Sequence, residues 1–316
     1  MGEFELIRRF FQPLANKAMT DQLMLGPGDD CAIQRIPEGR ELVFSVDTLV
    51  EGVHFPAHYS PFCLGWRALA VATSDLAAMG ASPVCFTLAL TLPEAQPEWL
   101  AEFTQGLAKA SDAFGLALAG GDTTRGPLSI SIQVHGTVRQ GEAIRRSGAR
   151  EGDLICVSGP LGGAGAALDF LDADDPGMDE QAVLARYHFP EPRLELGQRL
   201  VGRASSAIDI SDGLLADLEH ILEQSGVGAE LDARKIPILP ELRRLKGDAA
   251  LNLALTAGDD YELCVTIAPD QYAALTPQER GGLITIGCIQ HEPGLRVMGA
   301  DMAGLPAGFD HFGRSV

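Results

Sequence analysis

The chain has 316 residues, 46% of them hydrophobic and 21% charged, which is enough apolar material for one large soluble domain or two of ordinary size. Its formal net charge of −19 sets it against nucleic acid and against anionic membrane surfaces as partners. Its six cysteines include no CxxC pair, which excludes a zinc ribbon or a thioredoxin-like motif.

In chain order, residues 3–11 alternate charged and apolar side chains and predict a short amphipathic helix without a signal-peptide core. Leu6 stands where a myristoylation signal needs Ser or Thr. The stretch 42–46 predicts a strand ending at Asp47, and 61–79 predicts a helix whose Ala and Leu residues face a core. Residues 76–93 are uncharged, but Gly80 and Pro83 break the stretch, so it divides into a helix end and a strand (84–92) rather than a membrane span. A helix over 97–114 starts at a proline. Strands follow at 116–119 and 128–138. The charged, glycine-punctuated stretch 141–153 is the expected boundary between an N-terminal domain, 1–140, and a C-terminal domain, 141–316.

The second half restarts with a strand at 154–158 and a glycine-rich turn at 159–165. Helices are predicted near 164–171, 180–186 and 194–203, with an acidic loop at 172–179. A short strand at 207–210 leads to a helix over 211–224, where Leu214, Leu215, Leu218, Ile221 and Leu222 share one face. Strands close the pattern at 262–267 and 283–289. Elements mix without regular βαβ alternation, so the expected fold class is α/β (α+β): two domains with mixed sheets and flanking helices. Cys85, Cys156 and Cys264 sit in strand-like runs and read as reduced core residues of a cytoplasmic protein.

Acidic residues recur beside glycines. Gly26-Pro27-Gly28-Asp29-Asp30 is either a surface turn or a compact carboxylate loop. Asp47 ends an apolar strand as a turn residue or a ligand. Asp75 lies in an alanine-rich helix, where a buried acid needs a partner or a metal. In Gly120-Gly121-Asp122-Thr123-Thr124, glycines let backbone approach a phosphate and Asp122 suits the metal on it. Asp209 and Asp212 flank the start of a helix with Ser211 as a candidate N-cap. Gly258-Asp259-Asp260 pairs acids with glycine again, and Arg145 and Arg146 are either phosphate contacts or solvated linker residues. Walker A and protein-kinase signatures are absent, so phosphates would be held through metals and acids rather than a lysine loop.

In this order, the stretches 28–30 (GDD), 45–55 (SVDTLVEGVHF), 74–81 (SDLAAMGA), 120–124 (GGDTT), 209–214 (DISDGL), 258–263 (GDDYEL) and 308–312 (GFDHF) closely resemble the thiamine-monophosphate kinase family. That family falls within the superfamily of aminoimidazole ribonucleotide synthetase and selenophosphate synthetase. The resemblance implies an aminoimidazole ribonucleotide synthetase-like fold and ATP-dependent phosphorylation of thiamine monophosphate to thiamine diphosphate, by direct in-line transfer. It implies several Mg²⁺ ions held by Asp30, Asp47, Asp75, Asp122, Asp209 and Asp212, with Ser45 and the backbone of Val46 assisting. It assigns Gly121, Asp122, Arg146 and Ser211 to ATP, and His54, Glu262 and Phe309 to the thiamine side. No general base is assigned, because an acceptor phosphate is already ionised near neutral pH. A homodimer joined through N-terminal sheets is also implied, and strands 84–92 and 128–138 have the apolar content for it. The metal site is expected in a cleft between the domains. The rivals are a selenophosphate synthetase, for which Cys31 lacks the companion lysine loop, and a non-catalytic acidic metal-binding protein.

Overall fold

The computed structural model describes residues 3–17 and 21–300. It divides into two compact units, Met1–Leu76 with Ala81–Glu142, and Ala77–Gly80 with Ala143–Val316.

The first unit opens with a helical segment, Glu3–Leu6 and Gln12–Lys17 joined by a widened π turn at Ile7–Phe11. A small hairpin, β1 (Leu23–Leu25) and β2 (Ile33–Gln34), follows. Four longer strands, β3 (Arg40–Val50), β4 (Ser82–Leu92), β5 (Ala117–Arg125) and β6 (Ser129–Arg139), form one sheet in the order β3-β6-β4-β5. Only β4 and β5 run parallel, so the sheet is mixed as expected. The helix Pro61–Ala78 is apolar almost all round and is correspondingly enclosed, with Leu64, Leu69, Ala70 and Leu76 inaccessible. The helix Pro97–Phe114 buries Leu100, Phe103, Leu107, Ala110 and Phe114, one stripe at three- and four-residue spacing. Each fully buried leucine contributes about 1.5–3 kcal/mol.

Two expectations change here. The strand expected to stop at Asp47 continues to Val50, because Asp47 pairs with Ile132 in an unbroken ladder. The GGDTT stretch does not follow a strand but forms the outer half of β5. Apolar residues of β4 and β6 such as Phe86, Leu88, Ile132 and Val134 are already buried within the unit. The edge strand β3 carries exposed apolar side chains at Leu42, Phe44 and Val46.

The second unit holds a six-stranded sheet. Its strands are β7 (Leu154–Val157), β8 (Ala204–Asp209), β9 (Gly228–Asp232), β10 (Leu263–Ile267), β11 (Ile284–Gln290) and β12 (Gly294–Met298). The order is β12-β9-β11-β7-β10-β8, antiparallel except for β12 with β9. Alternation sends Ile155 and Val157 to one core with Leu214, Leu218 and Ile221, and Cys156 to another with Leu196 and Leu200. Helices Leu214–Ser225 and Leu194–Leu200 thus pack against opposite faces. Cys85, Cys156 and Cys264 are buried free thiols, as expected, and burial pushes the Cys156 thiol up to about 11.

Candidate functional site

β5 is an edge strand whose outer half carries residues 120–124. Gly121 pairs with Leu88, and a Cβ there would stand 2.0 Å from the Leu88 carbonyl oxygen, so only glycine lets the two strands close at this point. Beside this edge lies a cleft of about 900 Å³, lined among others by Arg8, Phe11, Asp30, Leu118, Gly121 and Asp122. Its size suits a nucleotide-sized ligand. Asp30 and Asp122, far apart in sequence, therefore meet on one cleft, and both are exposed to an incoming ligand. The Asp30 N–H donates to Asp29 Oδ1 at 2.9 Å, which stiffens the Gly26–Asp30 turn. Arg8 and Phe11 come from the N-terminal helical segment, whose amphipathic pattern gave no hint of a place at a cleft.

A second group forms on the first unit's sheet. Ser45 Oγ donates to Asp75 Oδ2 in a short hydrogen bond, tying β3 to the helix Pro61–Ala78. Burial first, and then the charge of Asp75, push the Asp47 carboxyl up to about 6. Two carboxylates and a hydroxyl are hard oxygen donors, and their mutual repulsion is what a divalent cation relieves, so this group fits Mg²⁺. Strand alternation turns the Val46 side chain to the face opposite Asp47, where it is 62% exposed, so only its main chain could assist a metal there. Among the described residues no three His, Cys, Asp or Glu side chains form a ready-made cage. Ions held here would take the rest of their coordination from ligand oxygens and water. His54 Nδ1 accepts the Val50 N–H at 3.0 Å, which fixes the ring against the turn after β3 and puts its proton on Nε2.

In the second unit Asp209 ends β8 and is buried, while Ser211 and Asp212 occupy a half-exposed turn. The following helix begins at Leu214, so Ser211 is not its N-cap; Gly213 is, without a side-chain cap bond. The turn is held instead by Asp217, whose Oδ2 accepts the N–H groups of Ser211, Asp212 and Gly213 at 3.0, 3.0 and 3.1 Å. Burial pushes the Asp217 carboxyl up to about 6, against the opposing pull of those bonds. Asp217 had a legible signal: it falls beside Leu214, Leu218 and Ile221 on the apolar face, where an acid demands partners.

The 258–263 stretch wraps the same turn. Asp259 and Tyr261 adopt left-handed backbone at φ 70° and 51°, a cost of about 1–2 kcal/mol each for non-glycine residues. Tyr261 Oη donates to Asp259 Oδ1 at 2.9 Å. Asp260 keeps some exposed surface as a residue, yet its carboxyl is enclosed, accepts the Gly162 N–H at 2.7 Å, and is pushed up to about 8 by burial. Glu262 is 1% exposed. It receives Arg193 in a two-pronged ion pair (2.7 and 2.5 Å) and the Ser158 hydroxyl at 2.5 Å, with Arg186 at 3.6 Å. Sequence reasoning offered Glu262 as a direct substrate contact; its oxygens are engaged internally. Arg146 has an exposed side chain, and its carbonyl accepts from Ser225 Oγ at 3.3 Å. Phe309 lies outside the described residues.

Residues 28–138 match the family model "AIR synthase related protein, N-terminal domain", and residues 150–297 match its C-terminal counterpart. The thiamine-monophosphate kinase of Escherichia coli (strain K12) is 45% identical over 84% of this chain and 82% of its own length. The crystal structure of thiamine-monophosphate kinase from Stenotrophomonas maltophilia K279a superimposes with a TM-score of 0.87 at 44% identity, covering 95% of this chain and 97% of the other. A structure of AaThiL complexed with AMPPCP and TMP superimposes with a TM-score of 0.81 at 30% identity, covering 98% and 97%.

Proposed function

This chain belongs to the thiamine-monophosphate kinase family, within the AIR synthase-related fold, and we propose that it phosphorylates thiamine monophosphate with ATP, giving thiamine diphosphate and ADP. The observation that carries this reading is the cleft on which Asp30, Gly121 and Asp122 meet, at an edge strand that approaches its neighbour too closely for any residue but glycine. A terminal oxygen of the substrate phosphate attacks the γ-phosphorus in line, and the bond from that phosphorus to the β,γ-bridging oxygen breaks. The acceptor oxygen needs no dedicated base, because a phosphate monoester has a second pKa of about 6.

Asp30, Ser45, the Val46 carbonyl, Asp47, Asp75, Asp122, Asp209 and Asp212 are proposed to hold Mg²⁺ ions. When bound, those ions screen the charge between two phosphate-bearing substrates. Gly121, Asp122, Arg146 and Ser211 are proposed to contact ATP. His54 and Phe309 are proposed for the thiamine side. Glu262 is proposed to act there through Arg193 and Arg186, because its carboxylate is enclosed by them. Incubation with ATP, Mg²⁺ and thiamine monophosphate, followed by chromatographic product analysis, is expected to yield thiamine diphosphate, and chelation by EDTA to stop it. Free thiamine run in parallel should stay unphosphorylated; phosphorylation of thiamine alone would refute the substrate assignment.

A homodimer is proposed through β3. Leu42, Phe44 and Val46 are 40%, 60% and 62% exposed along one face of an edge strand, an apolar row that a second copy would cover. Phe44→Glu is expected to convert a dimer into a monomer at micromolar concentration, read by light scattering after size exclusion. An unchanged mass would place the interface elsewhere. Among the described residues no helix is long and apolar enough to cross a membrane. The cytoplasm is the proposed location, since thiols stay reduced there and all six cysteines are unpaired.

A further inference from the structure

Three consecutive backbone N–H groups ahead of a helix can form a cradle for phosphate. The Ser211–Gly213 turn has that form, and it precedes the helix Leu214–Ser225. Its three N–H groups nevertheless converge on one oxygen of the chain's own Asp217, a side chain 2% exposed. The opposite side of the turn is fixed as well. The Ser211 carbonyl accepts the Asp259 N–H at 2.9 Å, and the Ile210 carbonyl accepts the Tyr261 N–H at 2.9 Å. Gly258 lies so close that a Cβ on it would stand 2.1 Å from the Ser211 oxygen.

We propose that Asp217 is a positioning residue: its carboxylate fills the backbone cradle of Ser211–Gly213, so that the turn offers the side chains of Ser211 and Asp212, and not its amides, to the metal-bound nucleotide. A phosphate cannot displace it, because the carboxylate is enclosed and the turn is pinned from the other side by Asp259 and Gly258. The inference rests on the reading that Ser211 and Asp212 serve ATP and metal.

The test compares Asp217→Asn with Asp153→Asn in the full chain. Asp153 is an equally enclosed carboxylate that accepts the Arg150 N–H at 3.0 Å and the Ser205 hydroxyl at 2.5 Å, at the far end of β8 from the turn. Thermal midpoints, the Mg²⁺ concentration for half-maximal thiamine diphosphate formation, and KM for ATP are measured for each. Asp217→Asn is expected to raise the Mg²⁺ midpoint and the ATP KM by about 10- to 100-fold, the range seen when a residue that orients metal ligands is removed. Asp153→Asn is expected to lower the thermal midpoint without moving either. A folded Asp217→Asn protein with wild-type Mg²⁺ and ATP dependence overturns the proposal. If that variant does not fold, Gly258→Ala decides by the same criteria, since it displaces the turn from the other side without removing a charge. Asp212→Ala separates the two levels: if it raises the Mg²⁺ midpoint while Asp217→Asn does not, the role of Asp217 fails and the metal reading of the turn stands; if neither variant moves it, both fail.

Discussion

Asp122→Ala is expected to abolish thiamine diphosphate formation while the protein stays folded. Asp122 is exposed, on the outer half of an edge strand, and lines the cleft it shares with Asp30 and Gly121. Surface substitutions away from packing usually change stability by no more than about 0.5 kcal/mol, so the thermal midpoint should hardly move. The activity effect follows from charge. On the proposed metal reading, with no lysine loop to cradle phosphates, transfer depends on groups that hold cations at the transferring phosphoryl, and losing one electrostatic stabiliser typically lowers kcat by about 10²–10³-fold. Single-turnover assays with ATP and thiamine monophosphate give the rate, and circular dichroism reports the fold. Turnover within tenfold of wild type would remove Asp122 from the metal site.

The second large effect is on stability. Arg193→Ala leaves the Glu262 carboxylate, 1% exposed, with only the Ser158 hydroxyl and the more distant Arg186. Breaking one side of an enclosed ion pair costs about 3–5 kcal/mol, because the remaining charge is stranded. That is expected to lower the melting temperature by about 10 °C, given about 2–4 °C per kcal/mol for a domain of this size. Removing both charges, with Arg193→Met and Glu262→Gln together, should recover part of the loss. Urea unfolding of the three proteins measures it. A single variant that loses less than about 1 kcal/mol would mean the pair is not the anchor its geometry implies.

The two cases mark where sequence reading reaches and where it stops. Acids beside glycines, apolar periodicity in the helices Pro61–Ala78 and Pro97–Phe114, and core cysteines are local patterns, and each was legible before the fold. The order of the motifs pointed to the family that the relatives and the superposed structures then supplied. Pairing between distant residues was not legible. Nothing near Glu262 announces Arg193, because their contact is made only when β10 and the helix Leu194–Leu200 come together. The hairpin of β1 and β2 escaped because three and two residues are too few for any period to show. The strand expected at 116–119 runs on through GGDTT, because the ladder with β4 overrides a glycine-rich composition. Ser211 read as a cap by residue type, whereas the turn is held by a side chain farther into the helix.

Gly120 and Gly121 are neighbours in the same cleft, but they are under different constraints. A side chain at 121 would wedge β5 away from β4, while a Cβ at 120 meets nothing within 4 Å. Position 121 is therefore closed to variation for architectural reasons, whatever ligand is bound. Position 120 is open, and a side chain added there enters the cleft without disturbing the sheet. If the cleft takes ATP as proposed, divergence toward a different nucleotide, or a deliberate redesign of selectivity, has its accessible step at residue 120.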